Sequence, residues 1–147
     1  MLAFLQLPLL RRLSPVAMLA LRLYVGWFLI VGVWDNIISV ERMKEFEGFL
    51  RTLNCPIPEA AAPVSVWAQF GVGVLLVPGL FTRIAGIVLA INFIVAVLLL
   101  APTGASERDL FPPAILIFIG AMFATQGAGA LSPDHILFAK RAAAKSS

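Results

Sequence analysis

The sequence predicts an all-α, polytopic membrane protein. Four transmembrane helices form a bundle, and a short amphipathic helix lies between the first and second spans. Two observations carry this. Hydrophobic residues make up 61% of the chain and charged ones 13%, with a mean hydropathy of +0.97, whereas soluble domains carry about 25% charged residues. A chain of 147 residues has too much surface for its volume to bury so much apolar side chain. Lipid has to solvate the excess. The second observation is four apolar segments, at residues 16–38, 64–80, 84–101 and 110–126. Each is close to the ~20 residues that cross ~30 Å of hydrocarbon as a helix. Helix is required, since an open sheet edge would leave backbone groups unpaired in lipid. The whole chain, 1–147, reads as one integral membrane domain. These features exclude a soluble enzyme, a nucleic-acid module and a disordered protein.

Span one is too long in its apolar core for a secretory signal, and the membrane pattern continues after it. Leu13-Ser14-Pro15 reads as its start, with Ser14 at the N-cap and Pro15 at the first helical position. The apolar stretch 2–10, interrupted at Pro8, is expected to lie along the membrane. After span one, Met43, Phe46, Leu50 and Leu53 recur at helical spacing, while Glu41, Arg42, Lys44, Glu45, Glu47 and Arg51 fill the other face. That pattern predicts an interfacial amphipathic helix over 41–53. Asn54-Cys55-Pro56-Ile57-Pro58 ends it. Leu131-Ser132-Pro133 repeats the Ser-Pro start and predicts a basic C-terminal tail, 133–147, with a helix over 135–144 on the headgroups.

The basic residues set the orientation. Arg11, Arg12, Arg83, Lys140, Arg141 and Lys145 fall on one side, with Arg22 just inside the membrane; Arg42, Lys44, Arg51 and Arg108 fall on the other. Four spans put both termini on the more basic side, which is expected to be cytoplasmic. The net charge of +3 points to anionic lipid headgroups rather than nucleic acid.

Several chemistries are absent. There is no Cys-x-x-Cys, and the single Cys55 lacks an activating base. His135 is the sole histidine and lies outside the spans, so the chain by itself offers no paired-histidine haem site and no metal site. The informative residues are the polar ones inside the spans: Arg22, Asp35, Asn36, Gln69 and Asn92. Such residues are costly in lipid and usually face the bundle interior. Arg22 lies about 9 Å and Asn92 about 12 Å from the same membrane face at 1.5 Å per residue, which pairs them in one half of the membrane. Asp35 and Gln69 form a second cluster at the opposite end. Snorkelling of Arg22 and interfacial placement of Asp35 are the competing structural readings. Trp34 and Trp67 fit an aromatic belt. Trp27, in mid-span, is a candidate platform for a flat ligand.

Three stretches carry a resemblance. They are Arg22-Leu23-Tyr24-Val25-Gly26-Trp27-Phe28-Leu29-Ile30-Val31-Gly32; the glycine-rich run from Gln69-Phe70-Gly71 to Pro78-Gly79-Leu80-Phe81-Thr82-Arg83; and Gly127-Ala128-Gly129-Ala130-Leu131-Ser132-Pro133-Asp134. In order and spacing, over residues 19–134, they resemble the DoxX family of small membrane proteins. Two positions depart from the family pattern: Asp35 stands where many relatives carry a base, and Gln69 where many carry Glu. The resemblance implies a four-helix membrane fold and an association with quinone-linked redox chemistry. The expected function is a bacterial inner-membrane subunit that binds a quinone-like apolar ligand and works with a redox partner protein. Arg22, Asn92, Trp27, Asp35 and Gln69 are its candidate ligand-binding residues. Quinone is the candidate cofactor, and a homo-oligomer is a further expectation. A non-enzymatic scaffold or assembly factor is the alternative, and the sequence leaves open whether the chain is catalytic.

Overall fold

The computed structural model describes residues 8–134, and among them it is all helix and connection, with no strand. The elements are α1 (Pro8–Ile38), α2 (Val40–Thr52), α3 (Pro58–Leu76), α4 (Thr82–Leu100), a 3₁₀ turn (Ala101–Thr103) and α5 (Glu107–Gln126). Four are long and apolar enough to cross a membrane: Leu13–Ile38 within α1, then α3, α4 with its 3₁₀ extension, and α5. The expected helix over 135–144 lies outside the described residues, as do residues 2–7 of the expected surface segment 2–10; its residues 8–10 belong to α1.

The expected span limits need three corrections. α1 does not begin at Ser14: it starts at Pro8 and runs through Pro15. A proline inside a helix costs it one backbone bond, yet the helix continues through this one. α3 covers Pro58–Leu76 instead of 64–80. Pro58 suits the first turn, with Glu59 beside the positive end of the helix dipole. It closes in a Schellman turn: Gly79, at φ +77°, donates to the Leu76 carbonyl, and Leu80 N–H donates to Leu75. α5 begins at Glu107 rather than 110, because Ser106 and Asp109 make a reciprocal capping box.

α2 forms as the amphipathic spacing predicts. Ser39 caps it, accepting from the Arg42 N–H at 3.3 Å. Leu50 is buried against the bundle, Met43, Phe46 and Leu53 are half-buried, and the charged face is open except at half-buried Glu47.

Two helix pairs build the bundle, α1 with α3 and α4 with α5, joined chiefly through α3 and α4. Each pair is closed at a glycine crossing. A Cβ on Gly26 would sit 3.0 Å from the Gly73 carbonyl oxygen, and one on Gly73 would sit 2.8 Å from that of Gly26. At the other pair, a Cβ on Gly86 would lie 2.6 Å from the Gly120 oxygen, and one on Gly120 would lie 2.8 Å from that of Gly86. Lipid offers no hydrophobic drive for helices to associate, so backbone-to-backbone approach at small residues supplies the packing. Val25 and Leu29 of α1, Val72 and Leu76 of α3, Ala85 and Leu89 of α4, and Leu116 and Phe123 of α5 form the shared core. Outside it, long apolar side chains such as Tyr24, Phe28, Ile87 and Phe118 face outward, as lipid-solvated helices require.

Candidate functional site

The polar residues of the spans fall into two groups at different depths. The first lies at the end of the bundle where α3 turns into α4. Arg22 is 2% exposed. Its Nη1 donates to the Ala128 carbonyl at 2.8 Å and its Nη2 to the Leu131 carbonyl at 3.2 Å. The guanidinium lies against Gly79, where a Cβ would come within 2.5 Å of Nη1. Only glycine leaves that space, and only glycine tolerates the φ there without strain. Arg22 thus holds down the strap 127–134 that follows α5. Asp134 fastens the strap a second time. Its two oxygens accept from the Phe81 and Thr82 N–H groups, each at 2.9 Å. This carboxylate does for α4 what its own N-cap, Phe81, cannot. Asp134 also places a negative charge beside Arg22. Arg83 closes the neighbouring helix end, donating from Nη1 to the Ala124 and Thr125 carbonyls of α5 at 3.3 and 2.8 Å.

The second group lies near mid-span between α3 and α4. Gln69 Nε2 donates to Ser65 Oγ at 3.1 Å, and Ser65 Oγ donates to Asn92 Oδ1 at 2.9 Å. The chain of bonds leaves the Asn92 amide N–H groups and the Gln69 carbonyl oxygen without a partner among the described residues. It forms one wall of a cleft of about 490 Å³ between α2, α3 and α4. Apart from these three side chains the cleft is apolar: Phe46 and Leu50 descend from α2, and Ile91 and Phe93 rise from α4. No titratable side chain lines it.

The expected pairing of Arg22 with Asn92 is therefore corrected. The depth of about 9 Å is counted from residue 16, the start of the expected span, whereas Arg22 packs against Gly79 at the turn from α3 into α4. Asn92 follows the start of α4 by ten residues, about 15 Å along the axis. The expected Asp35–Gln69 cluster is corrected too. Asp35 is exposed at the α1–α2 corner, where Oδ1 accepts from the Asn36 N–H and Oδ2 lies 4.0 Å from Arg42 Nε. There Asn36 Nδ2 donates to the Arg42 carbonyl. Gln69 points the other way, into the cleft with Asn92. Trp27 is 63% exposed and does not line this cleft. Trp34 and Trp67 flank Phe70, at ring separations of 6.3 and 5.8 Å, in a row at the α2 end.

Sequence reasoning missed Ser65 and Asp134 as partners. Ser65 sits four residues before Gln69, one helical turn away, and that spacing was the available signal. Asp134 was visible only as part of a glycine-rich motif, since its partners lie more than fifty residues earlier.

No curated protein and no solved structure matches the chain. The DoxX family model matches residues 17–102, more than half the chain, from within α1 to the 3₁₀ turn after α4. The matched stretch contains both Arg22 and the Ser65–Gln69–Asn92 group, and the chain belongs to the DoxX family.

Proposed function

We propose that this protein is a membrane subunit that holds a flat, apolar, carbonyl-bearing ligand of the quinone type in the α2–α3–α4 cleft. It works with a redox partner that supplies the electron-transfer centre. One observation carries the reading: a single polar spot, Asn92 with Ser65 and Gln69, in an otherwise apolar cleft within the spans. Its volume of about 490 Å³ lies in the usual range for small-molecule sites, about 300–1,000 Å³. A ring carbonyl would accept from the Asn92 amide, and a ring hydroxyl would donate to the Gln69 oxygen. Phe46, Phe49 and Phe93 supply faces for the ring. Entry is from the bilayer, between α3 and α4. In this reading Gln69 replaces a titratable acid with a neutral partner, and Arg22 is a positioning residue for the strap rather than a ligand donor. The protein sits in a bacterial inner membrane with both termini cytoplasmic, on the side rich in Lys and Arg.

Mass spectrometry of lipid extracted from the purified protein tests the proposal. A quinone retained by wild type and depleted in the Asn92→Leu variant is the expected result. Equal, background-level quinone in both would overturn it.

A second reading has its own support. Arg22 and Asp134 spend their hydrogen bonds on the protein itself, which suits a non-enzymatic scaffold whose polar residues set helix packing.

A further inference from the structure

A second cleft, of about 570 Å³, opens at the strap end of the bundle, remote from the mid-span cleft. Phe81 and Ile84 line it on one side, Arg83 and Gln126 stand at its wall, and the backbone of the glycine-rich strap forms its floor. Three observations bear on what it holds. The first is depth: it lies between the start of α4 and the end of α5, the level of a headgroup layer at the ends of two spans, and Phe81 and Ile84, both more than half exposed, give it an apolar flank.

The second is chemistry. Arg83 commits Nη1 to the α5 carbonyls and keeps Nε and Nη2 free of protein partners among the described residues. The one acid on the wall, Asp134, has both oxygens occupied by the Phe81 and Thr82 N–H groups and lies beside Arg22.

The third is charge distribution. Asp35, Glu41, Glu45, Glu47, Glu59, Glu107 and Asp109 outnumber Arg42, Lys44, Arg51 and Arg108 at the α2 end. At the strap end Asp134 is the single acid among the described residues, against Arg22 and Arg83. A cleft with a cationic wall, an apolar flank and the depth of a headgroup matches an amphiphilic anion.

We infer that this cleft is a binding site for an anionic phospholipid, with the headgroup phosphate on Arg83 and an acyl chain along Phe81 and Ile84. The site is independent of the mid-span cleft and of any quinone in it. Occupancy would brace the strap against α4 and α5 from the membrane side.

The test is native mass spectrometry of the detergent-purified full chain, offered equal amounts of phosphatidylglycerol and phosphatidylcholine of the same acyl composition. Wild type is expected to retain the anionic lipid over the zwitterionic one by about fivefold, the equivalent of about 1 kcal/mol for a basic residue at the membrane surface. Arg83→Gln should abolish the preference. That variant also loses an α5 cap, so Ala130→Trp serves as the second variant: it keeps Arg83 and fills the cleft, and it too should lose the preference. Arg51→Gln, at the opposite end, should keep it. No preference in wild type, or an intact preference in Ala130→Trp, would overturn the site. Thermal stabilisation by inorganic phosphate equal to that by phosphatidylglycerol would overturn its assignment to a lipid.

Discussion

Replacing Gly86 by alanine puts a methyl group where α4 and α5 touch backbone to backbone. The new Cβ would lie 2.5 Å from the Ala124 nitrogen and 2.6 Å from the Gly120 oxygen. To restore ordinary contact the oxygen has to retreat by about 0.8 Å, from 2.6 to 3.4 Å. Neither contact is the end of a flexible side chain; both belong to the facing helix backbone, so the helix must move as a body. Overpacking of this kind costs about 1–3 kcal/mol. Alanine also gains about 0.8–1.0 kcal/mol over glycine as a helix former, which masks part of the loss. Gly32→Ala removes the ambiguity, because nothing lies within 4 Å of a Cβ at Gly32 and it carries the propensity gain alone. The two variants should differ by the steric cost, about 1–3 kcal/mol, with Gly86→Ala less stable than wild type or level with it and Gly32→Ala more stable. Helicity followed through titration with denaturing detergent measures the difference. Equal stabilities for the two variants would refute the claim that glycine crossings close the bundle.

Arg22→Leu leaves the Ala128 and Leu131 carbonyls without their donor; a loss of about 1.5–3 kcal/mol is expected for each hydrogen bond from a charged group. Limited proteolysis should then cut the strap between residues 127 and 134, and an uncut strap would contradict its fastening by Arg22. The orientation is read through Cys55, the single cysteine: a membrane-impermeant maleimide should label it in intact spheroplasts, whereas labelling only in inverted vesicles would reverse the topology. The Glu41 carboxyl is held below the usual carboxylate range, first by its backbone N–H and then by the Ser39 hydroxyl. A lowered pKa means these contacts support the first turn of α2 above the ordinary carboxylate range and are lost as pH falls through the lowered value. Amide exchange in that turn, corrected for its intrinsic pH dependence, should therefore lose protection on acidification, and Glu41→Gln should remove the step; a step unchanged in that variant would assign it to another group.

What could be read from the sequence follows from how local each signal is. The spans are visible because hydrocarbon demands long apolar runs. α2 is visible because Met43, Phe46, Leu50 and Leu53 mark one helical face. The capping box at Ser106 and Asp109 is just as local, and counting from Leu110 overlooked it. Arg22 and Asn92 were paired by depth along separate helices, and that estimate depends on where each helix begins. Ser14-Pro15 carries a start signal, but the helix begins at Pro8, and it is packing against Gly79 that places Arg22 at the bundle end. Asp134 reaches across to cap α4, and the Gly86–Gly120 crossing joins residues thirty-four apart in the chain. Contacts of that kind depend on which helices pair, and hydropathy is silent on pairing. Gln69 and Asn92 were singled out correctly as polar residues in apolar spans. Their meeting through Ser65 needed the packing of α3 on α4.

The central claim, a ligand site at Asn92, is tested most directly by titrating a short-chain quinone into the detergent-purified protein and its variants by calorimetry. Wild type should bind saturably. Asn92→Leu and Ser65→Ala should each weaken binding by about fivefold or more, as expected for about 1 kcal/mol per lost hydrogen bond. Arg22→Lys, provided it folds, should bind as wild type does, since Arg22 faces the strap and not the cleft. Absence of saturable binding to wild type, or equal affinity in wild type, Asn92→Leu and Ser65→Ala, would contradict the account and leave the scaffold reading in its place.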